Sequence, residues 1–186
     1  ICGGPEVSYD TSAFLKEFPM VDFVVRGEGE EAVLRLIERL RAVGFAKARA
    51  AEVSRAGSLP GIAMRREDGS IDESTAVTVA DFSEVPFAYR EEEMEPIKER
   101  ILYYETSRGC PFSCAYCLSC ATAGVRFLPL ARVFRELDFF VRHDVRQVKF
   151  VDRTFNAKKS HFLPILQYLV DLPDSVCTNF HFEVAI

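Results

Sequence analysis

The chain has no apolar run of the roughly 18–20 residues that a helix needs to cross a bilayer. A helical membrane span is therefore excluded as a reading of the sequence. It also has no surplus of basic residues: its net charge is −5. Nucleic acid is not an expected partner on that balance. It has no initial Met and no charged-then-apolar leader; it starts "ICGGPEV" and stops at "FHFEVAI", inside an expected strand. The chain reads as an internal fragment, and the missing leader then carries no information. No short-period repeat is visible. What is present suits a folded protein. With 186 residues, 48% hydrophobic and 27% charged, there is material for one ordinary domain or two small ones.

The sequence predicts an α/β fold. "VDFVVRGEGEEAVLRLIERLRAVGF" reads as strand, glycine loop and helix, with Val33, Leu36, Ile37 and Leu40 at helical spacing. Glu30 and Glu31 in the first turn and Arg39 and Arg41 near the end match the helix dipole. Gly44 is a natural stop. Residues 1–44 are thus the end of an α/β sheet domain. Residues 45–100 read as a hairpin turning at Asp68–Gly69, followed by a solvated linker. Residues 101–186 alternate strand, helix, strand, helix and strand: "ILYYE", "LARVFRELDFFVRHD", "QVKFVD", "HFLPILQYLVDL" and "FHFEVAI". That order means parallel pairing with right-handed crossovers. Pro164 is tolerable if it falls in the first turn of its helix.

There are six cysteines, and four are bunched: Cys110-x3-Cys114-x2-Cys117-x2-Cys120. Disulfide frameworks tie distant loops, so bunching favours metal ligation in a reducing compartment. Three metal readings compete. A zinc ribbon needs two separated pairs, and the second would have to draw on Cys2 or Cys177. A ferredoxin run is two-two-three followed by Pro, whereas here Pro111 follows the first cysteine. The third is a three-cysteine iron–sulfur site. Three thiolates on a [4Fe–4S] cluster leave one iron open, as a catalytic zinc keeps one open position.

Cys110, Cys114 and Cys117, with Tyr116 before the last of them, resemble the signature of the radical S-adenosylmethionine (SAM) family. "YYETSRGCPFSCAYC" and "VKFVDRTFN" resemble members that join an N-terminal cobalamin-binding domain to a radical SAM domain. "GGPE" and "VVRGEGEEAVLRLIERL" resemble the end of that cobalamin domain. The resemblance covers nearly the whole chain. It implies the C-terminal part of a Rossmann-like cobalamin-binding domain, then the first half of a partial (β/α)6 TIM-like barrel. Cys110, Cys114 and Cys117 would hold the [4Fe–4S] cluster. Its open iron takes SAM, and reductive cleavage gives a 5′-deoxyadenosyl radical. Methyl transfer and a ring-forming rearrangement are both open, and the substrate is unknown. The family also implies an electron donor such as a ferredoxin or flavodoxin, and an oxygen-poor cytoplasm.

On the SAM side the resemblance implies Tyr116, Asp152, Arg153 and Glu183. Asp152 and Arg153 follow an apolar strand and are expected at the open rim of the sheet, with a structural ion pair as the other reading. In "FHFEVAI" the apolar residues should face helices and leave His181, Glu183 and Ala185 on the lumen side. On the cobalamin side it implies Gly3, Gly4, Gly27, Glu28, Gly29 and Glu30, where glycine turns admit close backbone approach. Read alone, these are ordinary strand-to-helix turns. Cys120 reads as a small buried bystander or a labile ligand. An RNA-modifying methylthiotransferase is the enzymatic alternative, disfavoured because Cys2 alone cannot supply that group's extra cluster. A non-catalytic iron–sulfur or zinc module is the other. Half a barrel leaves strand edges unpaired, so the isolated chain is expected to aggregate.

Overall fold

The computed structural model describes residues 1–44, 52–53, 55–117 and 124–186. The chain is α/β and divides into two compact units, Ile1–Ala80 and Asp81–Ile186. Cys120 lies outside the described residues.

The first unit is built on a four-stranded sheet in sequential order. β1 (Cys2–Gly3) and β2 (Phe23–Val25) run parallel with Gly3 opposite Val25, joined by α1 (Pro5–Ser8) and α2 (Thr11–Glu17). The Asp10 side chain caps α2 by accepting from the Ala13 N–H at 3.0 Å. α3 (Gly29–Val43) leaves β2 and buries Ala32 and Leu36 against the sheet, with Val33 and Leu40 alongside. Its C-terminal residue is followed by Gly44 at φ 82°, as the sequence predicts.

The hairpin predicted at Asp68–Gly69 forms, as β3 (Ile62–Arg65) and β4 (Ile71–Glu73), with Gly69 at φ 82°. It is not a separate element ahead of a linker. β3 pairs antiparallel with β2, and Ile62, Ala63 and Met64 are fully buried. The 45–100 stretch therefore divides, and its portion up to Ala80 falls in the first unit. The strand leading into the turn is an inner strand of the sheet, between β2 and β4.

Gly27 is where the strand-to-helix turn meets that hairpin's exit. It has φ 81°, and a Cβ there would stand 2.2 Å from the Val77 carbonyl oxygen. Glu28 N–H donates to the Val77 carbonyl at 2.8 Å, and Glu28 Oε2 accepts from Val79 N–H at 2.7 Å. Gly27→Ala adds positive-φ strain and a backbone clash, and is expected to cost about 2–4 kcal/mol. Gly69→Ala, at a similar φ with nothing within 4 Å, should cost about 1 kcal/mol. Calorimetry on the two variants checks the ranking.

The second unit contains, in chain order, β5 (Ile101–Tyr104), β6 (Ser107–Gly109), β7 (Val125–Phe127), α4 (Leu130–Arg142), β8 (Gln147–Phe150), α5 (Lys159–Val170) and β9 (Asn179–His181). β5, β8 and β9 make the parallel sheet that the strand–helix alternation predicts. One face carries Leu102, Tyr104, Val148 and Phe150, which pack with Val133, Leu137, Phe139 and Phe140 of α4 and Ile165 of α5. Aromatic rings meet edge to face through this core, among them Tyr104–Phe140 at 5.5 Å and Phe150–Phe155 at 5.3 Å. Each such buried ring contributes roughly 1.5–3 kcal/mol through burial. Glu136, charged and on the buried face of α4, accepts from Tyr104 Oη and from Arg132 Nε, both at 2.7 Å. Burial, then the Glu136 charge, pushes the Tyr104 phenol well above its ordinary value.

β5 is an outer strand of this sheet, and a side chain closes its edge. Tyr89 Oη donates to the Tyr103 carbonyl at 2.9 Å and accepts from the Tyr103 N–H at 2.8 Å. Pro164 falls at the sixth position of α5, beyond the first turn. The Ser160 carbonyl loses its helical donor there, and Ser160 is exposed to water. The strand predicted over "FHFEVAI" ends at His181. Phe180 and Phe182 pack on the core as expected, but Val184 and Ile186 are exposed.

Candidate iron–sulfur site

Parallel strands deliver their loops to one edge. Because Tyr104 lies opposite Phe150, the segments after β5, β8 and β9 all emerge at the C-terminal edge of the sheet. These are the cysteine segment, Asp152–Thr154 and Glu183. The cysteine segment is carried on a ribbon that the sequence reading missed: β6 and β7 pair antiparallel, Ser107 with Phe127 and Gly109 with Val125. The ribbon's neck is pinched. Gly109 has φ 106°, and a Cβ there would stand 2.2 Å from the Gly124 carbonyl oxygen. Cys110 follows this neck directly.

The ribbon is pinned to β8 by Asp152. This residue is not at the open rim where the sequence reading put it; it is 1% exposed. Its Oδ2 accepts from Thr106 N–H at 3.0 Å, and its Oδ1 accepts from Thr106 Oγ1 at 2.7 Å and Ser107 Oγ at 2.5 Å. The alternation explains this. Val148 and Phe150 face the helices, and Asp152 continues that row; Leu102, Tyr104 and Thr106 make the matching row on β5. His161 of α5 adds its Nε2 3.3 Å from Thr106 Oγ1. Burial holds the His161 pKa below its ordinary value, the Asp152 charge opposing and Lys158 assisting. The imidazole is thereby favoured neutral in this network.

The three sequence-predicted ligands are partly buried, and none is in a disulfide. Cys117 N–H donates to the Cys114 carbonyl at 3.1 Å, closing a turn between them. Cys110 Sγ lies 3.4 Å from Thr154 Oγ1. Among the described residues, no three His, Cys, Asp or Glu side chains stand close enough to hold a metal ion. The donor set nonetheless fits an iron–sulfur group. It is three soft thiols on one loop anchored at its neck, and such ligands are commonly drawn together by the group they bind.

The remaining predicted residues are placed as follows. Tyr116 is 91% exposed on the cysteine loop. Arg153 is exposed at the edge, as expected. Glu183 is exposed, its carboxylate 3.5 Å from Lys149 Nζ and its backbone carbonyl held by Phe155 N–H at 2.9 Å. In the first unit, the turns after β1 and β2 share the C-terminal edge of that parallel pair, so Gly3 and Gly4 come to the same edge as Gly27, Glu28, Gly29 and Glu30. Gly4 has φ 99° and open space around it, whereas Gly27 and Glu28 are engaged by Val77 and Val79. Thr106, Ser107, Thr154 and His161 were not found by sequence reasoning. The period-2 row ending in Thr106 and Asp152 was the available signal.

A parallel α/β sheet with three cysteines at its C-terminal edge and a preceding α/β unit defines a class that the comparisons then make specific. No protein-family model matches the chain. It is 31% identical over 166 residues to 2-(S-pantetheinyl)-carbapenam-3-carboxylate methyltransferase of Streptantibioticus cattleyicolor, covering 83% of this chain and 23% of that protein. It is 28% identical over 195 residues to the cobalamin-dependent radical SAM methyltransferase TokK of Streptomyces tokunonensis, covering 97% and 27%. Two solved structures share the fold. One is the cobalamin-dependent SAM radical enzyme OxsB with aqua-cobalamin and SAM bound (TM-score 0.68, 22% identity, 95% of this chain and 25% of that one). The other is the radical SAM methyltransferase TsrM of Kitasatospora setae with cobalamin and a [4Fe–4S] cluster bound (TM-score 0.55, 18% identity, 90% and 33%). The chain is thus similar over most of its length to a cobalamin-dependent radical SAM methyltransferase and to a second methyltransferase, and over a smaller or comparable share to proteins named as anaerobic magnesium-protoporphyrin IX monomethyl ester cyclases. It spans about a quarter of the length of the two curated methyltransferase relatives.

Proposed function

We propose that this chain is the part of a cobalamin-dependent radical SAM enzyme that carries the iron–sulfur loop, with Cys110, Cys114 and Cys117 as the cluster's protein ligands. The observation that carries this reading is the loop's placement. Three undisulfided cysteines lie beyond a pinched neck at the C-terminal edge of a parallel sheet, the edge at which α/β barrel enzymes do their chemistry. When bound, the [4Fe–4S] cluster supplies the electron that cleaves SAM, and cobalamin supplies the second cofactor of such methyltransferases. This chain's residues hold and orient. Asp152 fixes the loop's entry through Thr106 and Ser107. Tyr116, Arg153 and Glu183, exposed at or near the same edge, are the candidates to meet SAM. Asp152 acts through the loop and not by touching SAM.

The second unit is then the first half of a partial (β/α)6 barrel. In the first unit, Gly3, Gly4, Gly29 and Glu30 are the candidates to approach cobalamin, with Gly27 and Glu28 shaping the turn beside them. Methyl transfer to a small molecule is the favoured reaction, supported by the two relatives' names, and a ferredoxin or flavodoxin in a reducing cytoplasm is the favoured electron source. No helix among the described residues is long and apolar enough to cross a membrane. Anaerobic reconstitution of the full-length protein with iron, sulfide and hydroxocobalamin tests the reading. The expected product is brown, carries one [4Fe–4S] cluster and retains cobalamin through gel filtration. A colourless protein with one stoichiometric zinc contradicts it.

A further inference from the structure

Cys110 has a buried hydroxyl against its sulfur. Thr154 lies just past β8, is 6% exposed, and places Oγ1 3.4 Å from Cys110 Sγ. We propose that Thr154 is a positioning residue for Cys110 that donates its hydroxyl hydrogen to the cluster-bound thiolate and raises the cluster's reduction potential. This rests on the iron–sulfur reading above.

In a free thiol either atom can donate. A sulfur bound to iron has lost its proton and can only accept, so the hydroxyl must be the donor. A hydrogen bond at a ligand sulfur draws off electron density and stabilises the reduced, more negative cluster, which raises the potential. Both partners are held. The Thr154 carbonyl accepts from Ala157 N–H at 3.0 Å, and Thr is β-branched with few χ1 choices. The next residue, Phe155, is buried and packs on Phe150 and Phe182 with ring centroids at 5.3 and 4.3 Å. On the other side, Cys110 follows the Gly109 neck. The contact therefore joins the β8 exit to the cysteine loop, beside the Asp152 clamp.

The test is a redox titration of the reconstituted full-length protein, followed by the EPR signal of the reduced cluster. Thr154→Val keeps shape and removes the donor. It is expected to retain wild-type iron and sulfide and to lower the one-electron reduction equilibrium constant about tenfold, or about 59 mV. Thr154→Ser, which restores a hydroxyl, should recover most of that shift. An unchanged potential in a fully loaded Val variant overturns the proposal. If the Val variant loads poorly, Thr154→Ala is titrated under the same two criteria. A wild-type protein that takes up no iron overturns the iron–sulfur reading itself, an outcome separate from an unshifted potential.

Discussion

Replacing Cys110, Cys114 or Cys117 singly with Ser in the full-length protein is expected to reduce cluster content to background and SAM cleavage to an undetectable rate. A hard alkoxide is a poor substitute for a thiolate on iron. With only three protein ligands, the loss of any one leaves two irons without protein support. Cys177→Ser is the control. Cys177 is exposed and far from the loop in sequence, its thiol 3.7 Å from the Ser175 carbonyl. It should load a normal cluster. Cys120→Ser addresses the fourth cysteine of the run, and the spacing predicts normal loading there too. Iron and sulfide assays with the absorbance near the cluster's charge-transfer bands read all five variants. A Cys114→Ser protein with wild-type iron would remove Cys114 from the ligand set.

The second large effect is expected at Asp152. Asp152→Ala removes the acceptor for one backbone N–H and two hydroxyls, all from residues that are themselves buried. Unsatisfied buried donors cost roughly 1–3 kcal/mol each, so the destabilisation should be about 3–5 kcal/mol. Asp152→Asn keeps shape and one acceptor oxygen, and should cost about 1–2 kcal/mol. The consequence extends beyond stability, because Thr106 and Ser107 lead into β6 and so set the approach of Cys110. Cluster loading should fall in the Ala variant more than in the Asn variant. Differential scanning calorimetry and iron content, measured on the same preparations, check the two together. If Asp152 contacted SAM directly, Asp152→Asn would weaken SAM binding without touching the melting midpoint.

The parallel second sheet was legible because strand–helix–strand order with these loop lengths leaves few topologies. The cysteine ligands were legible because their spacing is specific. Asp152 was found as a residue that matters but placed on the wrong side. It was counted as a rim residue because it follows a strand, when its parity with Val148 and Phe150 puts it on the covered face. The β6–β7 ribbon was missed because three-residue strands such as "SRG" and "VRF" carry no periodic signal. Their pairing depends on the close approach of Gly109 and Gly124, a contact between backbones rather than side chains. The hairpin at Asp68–Gly69 was found by its turn chemistry, yet its place in the first sheet comes from pairing with β2, a long-range choice that local pattern does not encode. Gly27 was noticed as a glycine in a turn. Its proximity to Val77 could only come from the folded chain.

The most direct test of the central claim is the EPR spectrum of the dithionite-reduced, anaerobically reconstituted full-length protein, recorded without and with SAM. Three cysteine ligands leave one iron for SAM, so the spectrum of a reduced [4Fe–4S] cluster should change in shape and g values when SAM is added. A cluster spectrum that SAM leaves unaltered would mean the fourth iron is already held by the protein, and would contradict the account.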